Sequence, residues 1–82
     1  MDYIDLAGLL KVELQIVLIS VNAKENDVPE ESTLERLIES LALTEKRVAV
    51  EVNQELVVKR QWPEYKLKPG DRVEIVSFVG GG

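Results

Sequence analysis

The sequence predicts an α+β domain in which a mixed sheet of four to five strands packs one face against a single helix. Three observations carry that expectation. Runs of Val, Ile and Leu with period-two alternation recur in separate stretches, one stretch alone has helical spacing, and the order is strand, strand, helix, strand, short strand, strand. A single helix covers one sheet face, so the other is left open.

The first strand is expected within "LKVELQIVLISV", Leu10 to Val21. Leu10, Val12, Leu14 and Ile16 alternate with Lys11, Glu13 and Gln15, and the phase then shifts to Val17, Ile19 and Val21. Between Ile16 and Ile19 both faces are apolar, which implies a central strand or one whose outer face is covered. "NAKEND" reads as a polar turn, because it lacks the Asp-x-Asp-x-Asp-Gly spacing and distant Glu of a calcium loop. "STLERLIESLAL" reads as the helix: Ser32 and Glu35 have capping-box spacing, and Leu34, Leu37, Ile38 and Leu41 form one apolar stripe.

Beyond the helix, Val48, Val50 and Val52 share a face, and Asn53-Gln54-Glu55 reads as a tight turn before Leu56, Val57 and Val58. "QWPEYKLKPGD" is irregular. Trp62 is expected to plug the end of the core under a type II turn at Pro69-Gly70, where Pro presets φ and Gly accepts φ > 0. In the last strand, "RVEIVSFV", Val73 and Ile75 fall on one face and Glu74, Val76 and Phe78 on the other.

Composition narrows the chemistry. Eighty-two residues, 45% hydrophobic and 30% charged, suffice for one small domain and leave little apolar material for a deep active site. With neither cysteine nor histidine, the chain has no thiolate nucleophile, no imidazole base and no common zinc ligand pair. A net charge of −5 repels phosphate backbones and anionic lipid and favours a partner with a basic docking face. Nucleic acid and membrane are therefore not expected as partners. The acidic first turn and the interruptions at Gly8, Lys11, Glu13 and Gln15 disfavour a signal peptide, and a cytoplasmic protein is expected.

What remains is the ending, "EIVSFVGGG". It reads either as a frayed terminus or as a thin arm whose final carboxylate is the reactive group. Glycines lack a Cβ, so Gly80, Gly81 and Gly82 could enter a closed pocket where a carboxylate is activated, for example as an acyl adenylate. No Lys-Ser/Thr follows the glycines, which excludes a phosphate loop. Ordering such an arm costs entropy, so docking elsewhere must supply binding energy. Val76 and Phe78, with Leu18 if the first and last strands are neighbours, are the expected partner-binding residues; in the opposing reading Phe78 is core and the register is one residue off.

Several stretches together resemble the ThiS/MoaD family of bacterial sulfur carriers, which have the ubiquitin-like β-grasp fold. "ISVNAKENDVPEESTLERLIESL" is similar to that family's first hairpin and helix, "VAVEVNQELVVKRQW" to its middle strands, and "LKPGDRVEIVSFVGGG" to its final turn, strand and glycine tail. The thiamine-biosynthesis branch is the nearer of the two. The resemblance implies a protein cosubstrate, not an enzyme, with no bound cofactor. An E1-like adenylyltransferase of the ThiF type uses ATP to adenylate the Gly82 carboxylate. A persulfide derived from a cysteine desulfurase or sulfurtransferase converts it to a thiocarboxylate, and thiazole synthase of the ThiG type receives the sulfur. It also implies three parts: an N-terminal extension at residues 1–14, a β-grasp domain at 15–79 and a flexible tail at 80–82. The extension and Gly80 depart from the family pattern. Two other readings stay open: the small subunit of molybdopterin synthase, and a TGS-like binding module with the similar "LKPGDRVEIV" ending.

Overall fold

The computed structural model describes residues 15–44 and 46–78. Strands β1 (Ile16–Val21) and β2 (Lys24–Pro29) precede helix α1 (Leu34–Ser40); β3 (Val48–Val52), β4 (Glu55–Leu56), a 3-10 helix (Lys59–Glu64) and β5 (Arg72–Ser77) follow. The strands form one sheet in the order β2-β1-β5-β3-β4, with β1 and β5 parallel and every other pair antiparallel. This is the expected mixed α+β architecture, a β-grasp with five strands and one helix.

Alternation decides which face meets the helix. Val17, Ile19 and Val21 of β1, Val28 of β2, Val50 and Val52 of β3 and Val73 of β5 are buried together with Leu34, Leu37 and Ile38 of α1. Burying such side chains contributes about 1.5–3 kcal/mol each, which makes this layer the main source of stability. The second phase of β1, beginning at Val17, is therefore the one that points into the core. Its outer side carries Ile16 and Leu18, both about half exposed. Leu10, Val12 and Leu14 lie outside the described residues.

Both hairpins close on two-residue turns with left-handed backbone at each position, Asn22-Ala23 (φ 50° and 70°) and Asn53-Gln54 (φ 53° and 72°). That geometry matches the twist of antiparallel strands. It shortens two expected turns. Only the first two residues of "NAKEND" turn, the rest being β2, and Glu55 already pairs with Val52. Lys68–Asp71 is the expected tight turn, with Gly70 at φ +86° and the Asp71 N–H donating to the Lys68 carbonyl at 3.0 Å.

The helix starts one residue later than its capping-box spacing suggests. Thr33 is the N-cap and its Oγ1 accepts from the Arg36 N–H, while the Ser32 hydroxyl donates to the Pro29 carbonyl at 2.6 Å. Spacing alone cannot tell Ser32 from Thr33, since both stand before the apolar run. The Leu34 N–H is satisfied from outside the helix, by the Tyr65 carbonyl at 2.8 Å, and Leu67 N–H donates to Ser32, so the segment after the 3-10 helix braces the helix N-terminus. At the other end Ala42 adopts φ 60°; its N–H donates to Glu39 and that of Leu43 to Ile38, so the turn that closes there leaves Leu41 partly exposed rather than on the buried stripe. Trp62 sits inside the 3-10 helix, buried, with its indole N–H donating to the Val57 carbonyl at 2.9 Å.

One residue extends the parallel pairing beyond its strand. β1 ends at Val21, but the Asn22 side chain accepts from the Ile75 N–H at 2.7 Å and donates to the Ile75 carbonyl at 3.3 Å. The amide acts as one more rung beside β5.

Candidate functional site at the open sheet face

The strand register lays out the face turned away from the helix. On β5 it carries Arg72, Glu74 and Val76, with Phe78 just past the strand's end; on β3, Ala49 and Glu51; on β1, Ile16, Leu18 and Ser20. Val76 is 58% exposed and Phe78 54%, whereas Val73 on the same strand is fully buried. Phe78 is therefore outside the core, and its backbone is still held, because its N–H donates to the Arg47 carbonyl at 2.8 Å. That bond anchors the last described residue ahead of Val79 and the three glycines; Gly80, Gly81 and Gly82 themselves lie outside the described residues.

Leu18 is exposed as expected, but it does not join Val76 and Phe78. The strands are neighbours and run parallel, with Val21 opposite Val73. Leu18 stands three residues before the first of these and Val76 three after the second, so the two are offset by 3 + 3 = 6 residues along the sheet, about 20 Å at roughly 3.3 Å per residue. Leu18 instead borders the Pro69-Gly70 turn, whose Gly70 N–H donates to its carbonyl at 2.8 Å. Sequence alternation gives the face of a residue but not its level along a parallel neighbour.

Between these ends the face becomes polar. Glu51 and Glu74 are directly opposite each other, and a groove of about 380 Å³ is lined by them with Asn53, Gln54, Arg72 and Val76. The buried Asp71 carboxylate is engaged on both oxygens: it accepts from Asn53 Nδ2 at 3.0 Å and from the Lys68 N–H at 2.8 Å, while Asn53 Oδ1 accepts from the Arg72 N–H at 2.9 Å. This network locks the two turns at that end of the sheet and leaves the Asp71 carboxylate committed to structure. Glu74 stands on the outer face, as the alternation of the last strand predicts, and the alternation that buried Val50 and Val52 puts Glu51 there too; that the two stand opposite each other follows only from the register.

Other chemistry is sparse. The Tyr65 hydroxyl titrates above its ordinary range because burial disfavours the phenolate, helped by the carboxylates of Asp71 and Glu55. Lys66 is also raised, by its 2.7 Å hydrogen bond to Glu31 and that carboxylate's charge, at the fully solvated surface. Among the described residues no group of three or more acidic, cysteine or histidine side chains is arranged to hold a metal ion, and no helix is long and apolar enough to cross a membrane.

The model of the ThiS family matches residues 13–82, which includes the whole sheet, the helix and the glycine ending. The chain belongs to the ThiS family. It is 44% identical over 50 residues to the sulfur carrier protein ThiS of Bacillus subtilis, covering 61% of this chain and 76% of that one. The crystal structure of the thiamine biosynthesis protein (ThiS) from Geobacter metallireducens superposes with a TM-score of 0.69 at 30% identity, over 80% of this chain and all of that one. A thiazole synthase of Paramagnetospirillum magneticum is 37% identical over 62 residues; the chain spans only 19% of its length, so the likeness is to a part of that protein. The family match begins at residue 13, so residues 1–12 lie outside it.

Proposed function

We propose that the chain is a sulfur carrier for thiazole formation in thiamine biosynthesis and that the Gly82 carboxylate is its working group. The observation that carries this reading is a ThiS-family match running to Gly82, combined with an outward Phe78 whose backbone is fixed immediately before the tail. The chemistry follows from what a carboxylate needs. A carboxylate oxygen attacks the α-phosphorus of ATP in an E1-like adenylating enzyme, releasing pyrophosphate and leaving an acyl adenylate. A persulfide from a cysteine desulfurase or sulfurtransferase displaces AMP, and reduction of the resulting S–S bond by a thiol leaves the thiocarboxylate. Thiazole synthase then takes the sulfur.

In this scheme the carrier contributes no catalytic group and binds no cofactor; ATP belongs to the adenylating partner. Its own parts are a rigid body, the anchors Val76 and Phe78, and the side-chain-free Gly80, Gly81 and Gly82. The likeness to part of a thiazole synthase supports that enzyme as the acceptor, and the ThiS match favours the thiamine branch over molybdopterin synthase or a TGS-like module. The reading places the protein in the cytoplasm, where ATP and persulfide donors are available.

Incubation with the adenylating enzyme, ATP, a persulfide donor and a thiol is expected to raise the intact mass by the difference between one sulfur and one oxygen. Deletion of Gly82 is expected to abolish the shift. An intact protein that stays unmodified under conditions where a known carrier is converted would refute the proposal.

A further inference from the structure

Ile16 and Leu18 stand at the end of the sheet remote from the tail, 55% and 51% exposed, and the carrier chemistry makes no use of them. The chain enters β1 through Gln15, whose carbonyl accepts from the Glu30 N–H at 2.9 Å, so the β1–β2 ladder holds it up to the residue before Ile16. Beside Leu18 a recess of about 420 Å³ lies between that side chain, Glu25 and the Pro69-Gly70 turn. Glu25 and Asp27 are the Cα partners of Ser20 and Leu18 and are exposed. This end of the face is therefore apolar along β1 and acidic along β2.

Charge and reach decide what covers such a patch. A second copy seated on it would bring the acids of both chains into one interface, each chain carrying a net charge of −5, which opposes self-association through this end. The residues that lead into Gln15 have the better chemistry. Nine of the first fourteen are apolar, and Tyr3, Leu6, Ala7 and Leu10 recur at i, i+3, i+4 and i+7, with Asp2 and Asp5 off that stripe. Lys11 is the one cation that precedes Lys24, and it can meet Glu25 and Asp27. Leu6 precedes Ile16 by ten residues, a contour of up to about 33–36 Å, which is ample for a return over one or two strand positions. The family match begins only at residue 13, so these side chains are additional to the shared fold.

We infer that residues 1–12, which lie outside the described residues, fold back over the start of β1 and cover Ile16 and Leu18 with Tyr3, Leu6 and Leu10, while Lys11 meets the acids of β2. Such a cap adds apolar burial to a domain too small to build a large core. It spares Val76, about 20 Å away along the sheet by the roughly 3.3 Å rise per residue, so the end of the face beside the tail stays open. Nothing in the cap depends on sulfur chemistry.

The chain has no cysteine, so a single introduced thiol reports on one place. In the full chain, Leu18→Cys is expected to react with a maleimide at least about tenfold more slowly than Val76→Cys, because its thiol is reached only when the cap opens. Adding Leu6→Asp and Leu10→Asp is expected to remove most of that protection at position 18 and to leave the rate at position 76 unchanged. The reciprocal measurement is proteolysis: Leu18→Asp should hasten tryptic cleavage after Lys11, and Val76→Asp should not. Equal labelling at the two positions, equal acceleration at both on adding the aspartates, or cleavage after Lys11 indifferent to Leu18→Asp would each overturn the inference. Protection at position 18 that fades on dilution would overturn it as well, and would assign the patch to a second copy.

Discussion

The two faces of this sheet are built from the same residue types and do different work. Val73 and Val76 lie three residues apart on β5; the first is fully buried beneath α1 and the second is 58% exposed on the far side. Ile19 and Leu18, neighbours on β1, differ in the same way. Hydrophobicity thus fails to distinguish a core position from an exposed one, and phase along the strand succeeds. An apolar side chain left outside by the phase, next to the tail, gains nothing for the fold and is available to a partner.

The contrast is broken most severely by placing a charge on each face in turn. Val73→Asp is expected to unfold the domain, with a loss of more than about 4 kcal/mol from an unpaired buried carboxylate, whereas Val76→Asp should stay within about 1 kcal/mol of wild type. Urea denaturation followed by the Trp62 fluorescence compares the two directly. A milder cut on the inner side, Leu34→Ala, is expected to cost about 2–5 kcal/mol in the same assay.

On the outer side, Phe78→Asp is expected to leave the melting temperature nearly unchanged and to weaken binding of the adenylating enzyme by at least about tenfold, measured by calorimetry. A variant that unfolds instead would mean that Phe78 belongs to the core. Smaller again, Thr33→Ala should cost about 1 kcal/mol through loss of the helix cap, and Ser32→Ala clearly less, since its hydroxyl is bonded to Pro29 rather than to the helix.

The smallest effect is a pH dependence. Tyr65 has a folded pKa above the ordinary 10.0, so its contribution is complete below that value. As pH rises through 10.0 the unfolded chain loses the phenolic proton first, and stability should decline until the folded protein also titrates. Tyr65→Phe should remove that slope from a series of urea midpoints.

How far the sequence was legible follows from the range of the interactions involved. Alternation in "VAVEV" and "RVEIVSF" is local, and it placed Val50, Val52, Val73, Val76 and Phe78 on their observed faces. The turn at Pro69-Gly70 was equally local, since φ at Gly70 follows from residue type. The helix cap slipped by one residue because two hydroxyl side chains compete for one role. The distance of Leu18 from Phe78 was beyond sequence reasoning, because the level at which parallel strands meet is set by the long crossover between them and not by either strand. The opposed Glu51 and Glu74 required the β3–β5 register, which depends on the 3-10 helix and the loop that returns the chain to the sheet.

The Asn22 amide has a consequence for when the carrier becomes usable. It clasps the backbone of Ile75, 53 residues away, at the place where β5 outruns its parallel neighbour. The end of β5 that leads to the tail is thereby steadied by the turn of the β1–β2 hairpin, so misfolding of that hairpin should loosen the stem from which the tail departs. Under the proposed function, Asn22→Ala with the body still intact is expected to slow delivery of the Gly82 carboxylate to the adenylating enzyme rather than to weaken binding once it is there.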